Sequence, residues 1–453
     1  MFSKVSLDMC NMSWKESTRK SLRRFNWKLY FALLLTGLLP TLYTTIRINY
    51  LGNLPGDWGI NIASQLVWVN LILEVIYEAL ILPLFYLIGK TIDDRNKTVN
   101  KIKSGLALTC GIYLVCAVII TLFAKQFVTA MAQNPDTIDA TTAYIRFEMI
   151  AAILIGPVKF MMVVFILLNY RIHIYALLSI QMVLSIVLDS MLLSDFDFSL
   201  NLGVNGIAYS NIIVYSTMLT YIMYIFCKNY EVDLREFKSG YDYGWVTDWI
   251  KVGKFSGLDS FIRNLFYLVF IVRMMNVISE QGTYWIANGF VWGWLLLPFY
   301  PLAELLKQDV AGRRVVDHKE KMSGYFGIAT AIILLWIVTM PFWSLFFEKV
   351  LNVPEPEAIL DLVLILLPFY ILYVYNTLAD SVFYGKGRTE LLALQSIITN
   401  VAVYGTAFAL FQLEIFEPTL TGIALLFGTG IFVDSIVTYY LYFKYLRENG
   451  YQL

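Results

Sequence analysis

Ionisable side chains lie inside stretches otherwise too apolar for water: Arg47, Glu74, Glu78, Arg146, Glu148, Lys159, Asp189, Asp259, Arg263, Arg273, Glu304, Asp380 and Asp434. Such a group is costly in a bilayer unless paired or wet, so each is a candidate for holding a cation, a proton or a counter-charge. Glu74 and Glu78 are four residues apart and share one helix face, which must look inward. That face suits either a cleft with a proton relay or a buried hydrogen-bonding role. Asp259 and Arg263 have the same spacing with opposite sign, the pattern of an intrahelical ion pair. Asp380 and Glu304 admit both a functional and a structural role. Arg146, Glu148 and Asp434 are expected near span ends, where snorkelling removes most of the cost.

The residues for enzymatic chemistry are missing. The only histidines, His173 and His318, fall in predicted loops, and the chain has no Gly-rich phosphate cradle or paired-ligand motif. Of the cysteines, Cys110 and Cys116 share one apolar span, Cys227 ends another and Cys10 is in the leader, a spacing that suits structural roles. The reading is therefore of a non-enzyme without cofactor.

The elements that must position these charges follow from composition. The chain is 58% hydrophobic and 15% charged, with a mean hydropathy of +0.64, beyond an ordinary soluble domain. A spanning helix takes about 20 apolar residues. Stretches of that kind fall near 29–49, 62–88, 105–124, 143–168, 173–194 and 206–227, then near 253–277, 283–306, 324–347, 358–384, 390–411 and 421–446. The fold class is thus all-α and polytopic, with twelve spans and no sizeable soluble domain. Lys and Arg collect in the leader 1–28, the loop with Lys90, Arg95 and Lys97, the linker 228–252, and the loop with Lys307, Arg313 and Arg314. The alternate loops carry Asp195, Asp197, Glu280, Glu414 and Glu417 instead. The positive-inside rule then puts both termini in the cytoplasm. With net charge zero, no nucleic-acid partner is expected; the partners are the lipid bilayer and a small-molecule substrate. The leader segment 14–28 mixes basic and aromatic residues, which suits a helix lying on the membrane surface.

The two halves align with each other. Ile62, Ala63, Val67 and Trp68 return as Ile286, Ala287, Val291 and Trp292; LLSIQ ending at Gln181 returns as LLALQ ending at Gln395; and Gly206-Ile207-Ala208 returns as Gly422-Ile423-Ala424. A near-constant offset over six spans per half is a parallel repeat, giving bundles 29–227 and 253–453. A cleft between bundles makes Gln181, Gln395, Trp68, Trp292 and Asn376 candidates for contact with substrate, with Trp294 a further aromatic; core packing is the other use of the aromatics. Gly156-Pro157, Pro298 and Pro301 weaken the helical hydrogen-bond ladder and serve either motion or packing.

On the segments INYLGNL, LGVNGIAYS and GKGRTELL, with Leu188-Asp189 between them and the six-plus-six repeat, nearly the whole chain resembles the multidrug and toxic compound extrusion (MATE) family. The resemblance implies a multidrug antiporter in which entering Na⁺ or H⁺ drives an amphipathic compound out by rocking of two bundles. It suggests a monomer in a bacterial or archaeal inner membrane. A flippase for a lipid-linked head group and an uncoupled exchanger are the alternatives within the wider superfamily. Where family members commonly carry an aspartate in the first span, this chain has Arg47. Asp189 matches a fifth-span acid that could hold Na⁺, and Tyr373 fills a tenth-span aspartate position. The resemblance implies an Arg47–Asp189 ion pair, with a guanidinium standing where a cation would bind; snorkelling of Arg47 to the outer headgroups is the other reading. Glu74, Glu78, Asp380 or the Asp259–Arg263 pair would then carry any coupling.

Overall fold

The computed structural model describes residues 14–54, 58–230, 240–310 and 316–449. Helices long and apolar enough to cross a membrane are Trp27–Gly52, Trp58–Gly89, Arg95–Leu122, Pro135–Leu167, Arg171–Leu192 and Asn205–Asn229 in the first half. The second half has Ser256–Val277, then Gln281–Leu295 with Phe299–Val310 as a pair bent by 54°, then Met322–Val350, Pro356–Gly385, Glu390–Phe411 and Leu420–Glu448. Counting the bent pair once, these are spans 1 to 12, and the chain is all-α among the described residues. With twelve crossings, Trp27 and Glu448 lie on the same face, called here the terminal face. The bend in span 8 falls at Pro298, which has no N–H for the ladder.

The leader helix Trp14–Arg24 does not simply lie beside span 1. It packs against the start of span 9, and Phe25 meets Tyr325 edge-on at 5.5 Å between ring centroids. The linker residues 231–239, and Lys4, Cys10, Arg313 and Arg314, lie outside the described residues, as do the side chains of His318 and Asp259.

Span 1 packs on span 5, span 4 on spans 3 and 6, and span 10 on span 12, so each half has its own bundle. Across the halves span 1 lies along span 8, where Tyr30 donates to the Pro298 carbonyl at 2.7 Å and Thr41 to that of Gly293 at 3.1 Å. Span 2 lies along span 7. Gly253, in the helix Val246–Tyr267 that leads into span 7, lets the backbones touch there, because a Cβ at that position would sit 2.0 Å from the Ala79 carbonyl oxygen.

At the face opposite the termini the halves are latched by amides. Gln65 and Asn276, both buried, exchange two hydrogen bonds of 2.6 and 3.0 Å. Asn276 also donates to the Met131 carbonyl, Asn61 to that of Ser279, and Asn49 to that of Val350. Arg273 reaches the Ala130 carbonyl at 3.0 Å. Asn352 donates to Asn53, and next to them a Cβ on Gly52 would meet the Asn352 carbonyl oxygen at 1.9 Å.

Candidate functional site

Each half holds a cavity on the terminal side of this latch, and Val67 lines both. The first-half cavity, about 200 Å³, is lined by Tyr43, Arg47, Tyr144, Glu148, Gln181 and Asn211 among others. Arg47 donates through Nε to Asp189 Oδ2 at 2.7 Å, and through one terminal nitrogen to Asp189 Oδ1 and Asn211 Oδ1 at 3.2 Å each. Asn211 passes the contact on, its Nδ2 donating to Glu148 Oε1 at 2.9 Å. Its amide orientation is set by these neighbours, oxygen to the guanidinium and nitrogen to the carboxylate. The expected Arg47–Asp189 contact is present as a buried, two-pronged pair; Arg47 does not reach for the headgroups.

Two sequence expectations for this half change. Arg146 and the polar loop before it suggest that Glu148 is close to a span end, yet Glu148 is buried well inside span 4. Arg146, two residues before it in the same helix, lies beside the end of span 3, donating to the Thr121 carbonyl. Asn211 gives no sequence signal of its place in the network, since it is a neutral amide in an apolar span. Nor does Asp189 suit Na⁺: both its oxygens already accept from Arg47, whose charge neutralises it.

The second-half cavity is larger, about 670 Å³. It reaches the terminal face at Lys307 and Tyr384 and is walled by Tyr370, Tyr373, Trp292 and Phe427. Its acids are Asp380 and Asp434. Asp434 lies midway along span 12, not at its end as its sequence position suggests. Gln395 Nε2 donates to both Asp434 oxygens at 3.1 Å, and Thr399 Oγ1 donates to Oδ1 at 3.2 Å. Three π-helical turns border this cavity: Leu268–Val272 follows lining residue Tyr267, Val291–Leu295 carries Trp292, and Asn400–Gly405 carries Asn400 and Tyr404. Such turns insert one residue into the helix and are frequent at functional sites.

Between the halves Arg263 donates to Glu78 Oε1 at 2.6 Å, tying span 7 to span 2. Glu78 lies in the π-turn Tyr77–Ile81, and Glu74 lines neither cavity, so the two do not form one acidic cleft face. Glu304 pairs with Lys307 one turn away at 2.5 Å. Lys159 rests its ammonium over the Tyr77 ring at 4.7 Å.

The glutamines aligned by the repeat line corresponding cavities, Gln181 the first and Gln395 the second. Trp68 is core: it is 1% exposed and packs on Phe127. Asn376 is buried too, donating to Ser435 at 2.6 Å outside the cavity lining. Both fail as cleft residues because a helix presents only part of its circumference to a cavity. Trp294 turns to the span 1 interface, where its Nε1 donates to Thr45 at 3.1 Å.

No protein-family model and no curated protein matches the sequence. Solved structures do match the fold. An inward-facing multidrug resistance MATE family transporter of the MOP superfamily superposes with a TM-score of 0.76 at 16% identity, covering 93% of this chain and 98% of that one. An outward-facing MATE transporter gives 0.65 at 15% identity, with 98% of each chain covered. A MOP superfamily transporter from Pyrococcus furiosus, described as having a binding pocket of reverse polarity that suggests a different function, also gives 0.65, at 14% identity and with 99% of each chain covered. At such identities the likeness is one of fold, and it is greater to the inward-facing form.

Proposed function

We propose that this chain, having the fold of the MATE transporters, is a secondary active transporter that moves amphipathic organic compounds out across a cell membrane in exchange for an entering Na⁺ or H⁺. The observation that carries this reading is the arrangement of latch and cavities. Side-chain amides join the halves at the face opposite the termini, both cavities lie on the terminal side of them, and on that side the halves touch along the span 1–span 8 and span 2–span 7 seams. By the loop charges, the terminal side faces the cytoplasm. Rocking about the span 1–span 8 and span 2–span 7 contacts would part the amides and open the cavities outward. Neutral amides suit this, because each exchanges its partner for water and no desolvated charge is stranded. The lipid bilayer is its environment, and the protein works as a monomer.

The Arg47–Asp189 pair shapes the coupling. Arginine stays protonated, so the guanidinium cannot be exchanged as a proton or metal ion can. The coupling ion therefore binds outside the first-half pair. The test is uptake of a fluorescent amphipathic amine into proteoliposomes under an imposed Na⁺ gradient or pH gradient. Accumulation above the ungraded control supports the reading; equal traces in protein-free vesicles and proteoliposomes refute it.

A further inference from the structure

The leader helix Trp14–Arg24 lines neither cavity, yet its orientation is fixed. Thr18 lies against Gly327 of span 9 and Ser21 against Gly324, where a Cβ would sit 2.2 Å from the Ser21 hydroxyl oxygen. The leader therefore runs antiparallel to span 9, with the face carrying Thr18 and Ser21 turned toward it. Arg19 and Arg23, one turn apart, share a face turned away from span 9, and both are exposed. The chain then turns through Phe25 and Asn26 into span 1, where Lys28 is exposed as well. Trp27 Nε1 donates back to the Leu22 carbonyl at 3.3 Å, which holds the start of span 1 against the leader's last turn.

Span 1 sets the depth of these cations. Trp27, Phe31 and Leu35 follow one another at four-residue spacing, and all three are exposed. An apolar stripe of this kind on a spanning helix faces lipid, and a Trp at its end marks the headgroup level. Arg23 and Lys28 are within about a turn of that Trp. No acidic side chain answers Arg19, Arg23 or Lys28 among the described residues, whereas the exposed Lys97, Lys125, Lys251 and Arg388 each pair with an acid. The helix dipole favours basic groups in a last turn, which accounts for Arg23 and Arg24 but for neither Arg19 nor Lys28.

We propose that Arg19, Arg23 and Lys28, with Trp27 at the hydrocarbon boundary, form a binding surface for anionic phospholipids of the leaflet on the terminal face. Basic side chains at this depth attract headgroups of net negative charge, while Trp27 and Phe31, stacked at 6.1 Å between ring centroids, lie against the acyl chains. The leader is docked on span 9 and continuous with span 1, so a lipid held there touches both halves at once. The surface requires only that the chain is embedded in a bilayer, whatever it transports.

The test is thermal unfolding of the full chain in neutral detergent micelles, titrated with phosphatidylglycerol or with phosphatidylcholine of the same acyl chains. Phosphatidylglycerol should raise Tm saturably and above the phosphatidylcholine trace, as a ligand held by the folded state does. Each neutralisation among Arg19→Gln, Arg23→Gln and Lys28→Gln should weaken the response by about fivefold, and all three together by about a hundredfold. Arg19→Lys with Arg23→Lys keeps the charge and should keep the response, which separates lost attraction from lost packing. Lys97→Gln removes a basic side chain elsewhere and should change nothing. Glycerol phosphate without lipid should not reproduce the effect. Equal Tm with the two lipids, an undiminished response in the triple variant, or full replacement of the lipid by glycerol phosphate would overturn the surface.

Discussion

Arg47 and Asp189 face each other from spans 1 and 5 with Nε 2.7 Å from Oδ2, and the pair is nearly closed to solvent, at 13% and 2% side-chain exposure. Removing one partner leaves the other charge buried. Asp189→Ala or Arg47→Ala should therefore cost about 3–5 kcal/mol, while Arg47→Met with Asp189→Leu together should cost far less. Thermal unfolding in detergent checks this, and equal Tm losses in the single and double variants would contradict it.

The Arg263–Glu78 pair should behave differently. The Arg263 side chain is 45% exposed, so screening by water reduces the coupling to about 1 kcal/mol or less. A double-mutant cycle with Arg263→Ala and Glu78→Ala should give a smaller interaction energy than the cycle on Arg47 and Asp189. The reverse order would mean that the inter-half pair is the drier one.

The two pairs mark what is legible in the amino-acid sequence. A charge in an apolar span needs a partner, so a mate for Arg47 can be inferred, and the spacing of apolar stretches delimits the spans. Glu148 and Asp434 mislead because a nearby polar residue looks like a span end, whereas their helices run on past them to Pro135 and Glu448. Asn211, Gln65 and Asn276 carry no charge, so nothing in the sequence separates a network amide from an ordinary one. The π-turns leave no mark in the hydropathy pattern, since one inserted residue changes the helix phase without changing composition. Trp68 and Asn376 lie on the right spans but on faces turned away from the cavities.

The latch predicts a way to stop the cycle. Asn53 and Asn352 touch across the halves, so a variant with Asn53→Cys and Asn352→Cys, the native cysteines replaced, should form a disulfide on oxidation. Transport should fall to the level of protein-free vesicles and return on reduction. Undiminished transport by the fully crosslinked protein would show that these ends need not part.

Weakening the same latch should shift the resting state. Gln65→Leu leaves Asn276 buried without its reciprocal partner, at a cost of about 1–3 kcal/mol to the closed state. Spin labels at positions 53 and 352 should then report a larger fraction of long distances than in the parent protein. An unchanged distribution would place the restraint elsewhere.

Val67 lines the cavities of both halves, so a single reporter there tests alternating access most directly. A Val67→Cys variant, in proteoliposomes of known orientation, is treated with a membrane-impermeant maleimide added to one face at a time. Without substrate or ion gradient, labelling should come from the terminal face. During turnover it should become possible from the opposite face as well. Labelling from one face only, with and without turnover, would contradict a carrier that exposes its cavities to each side in turn.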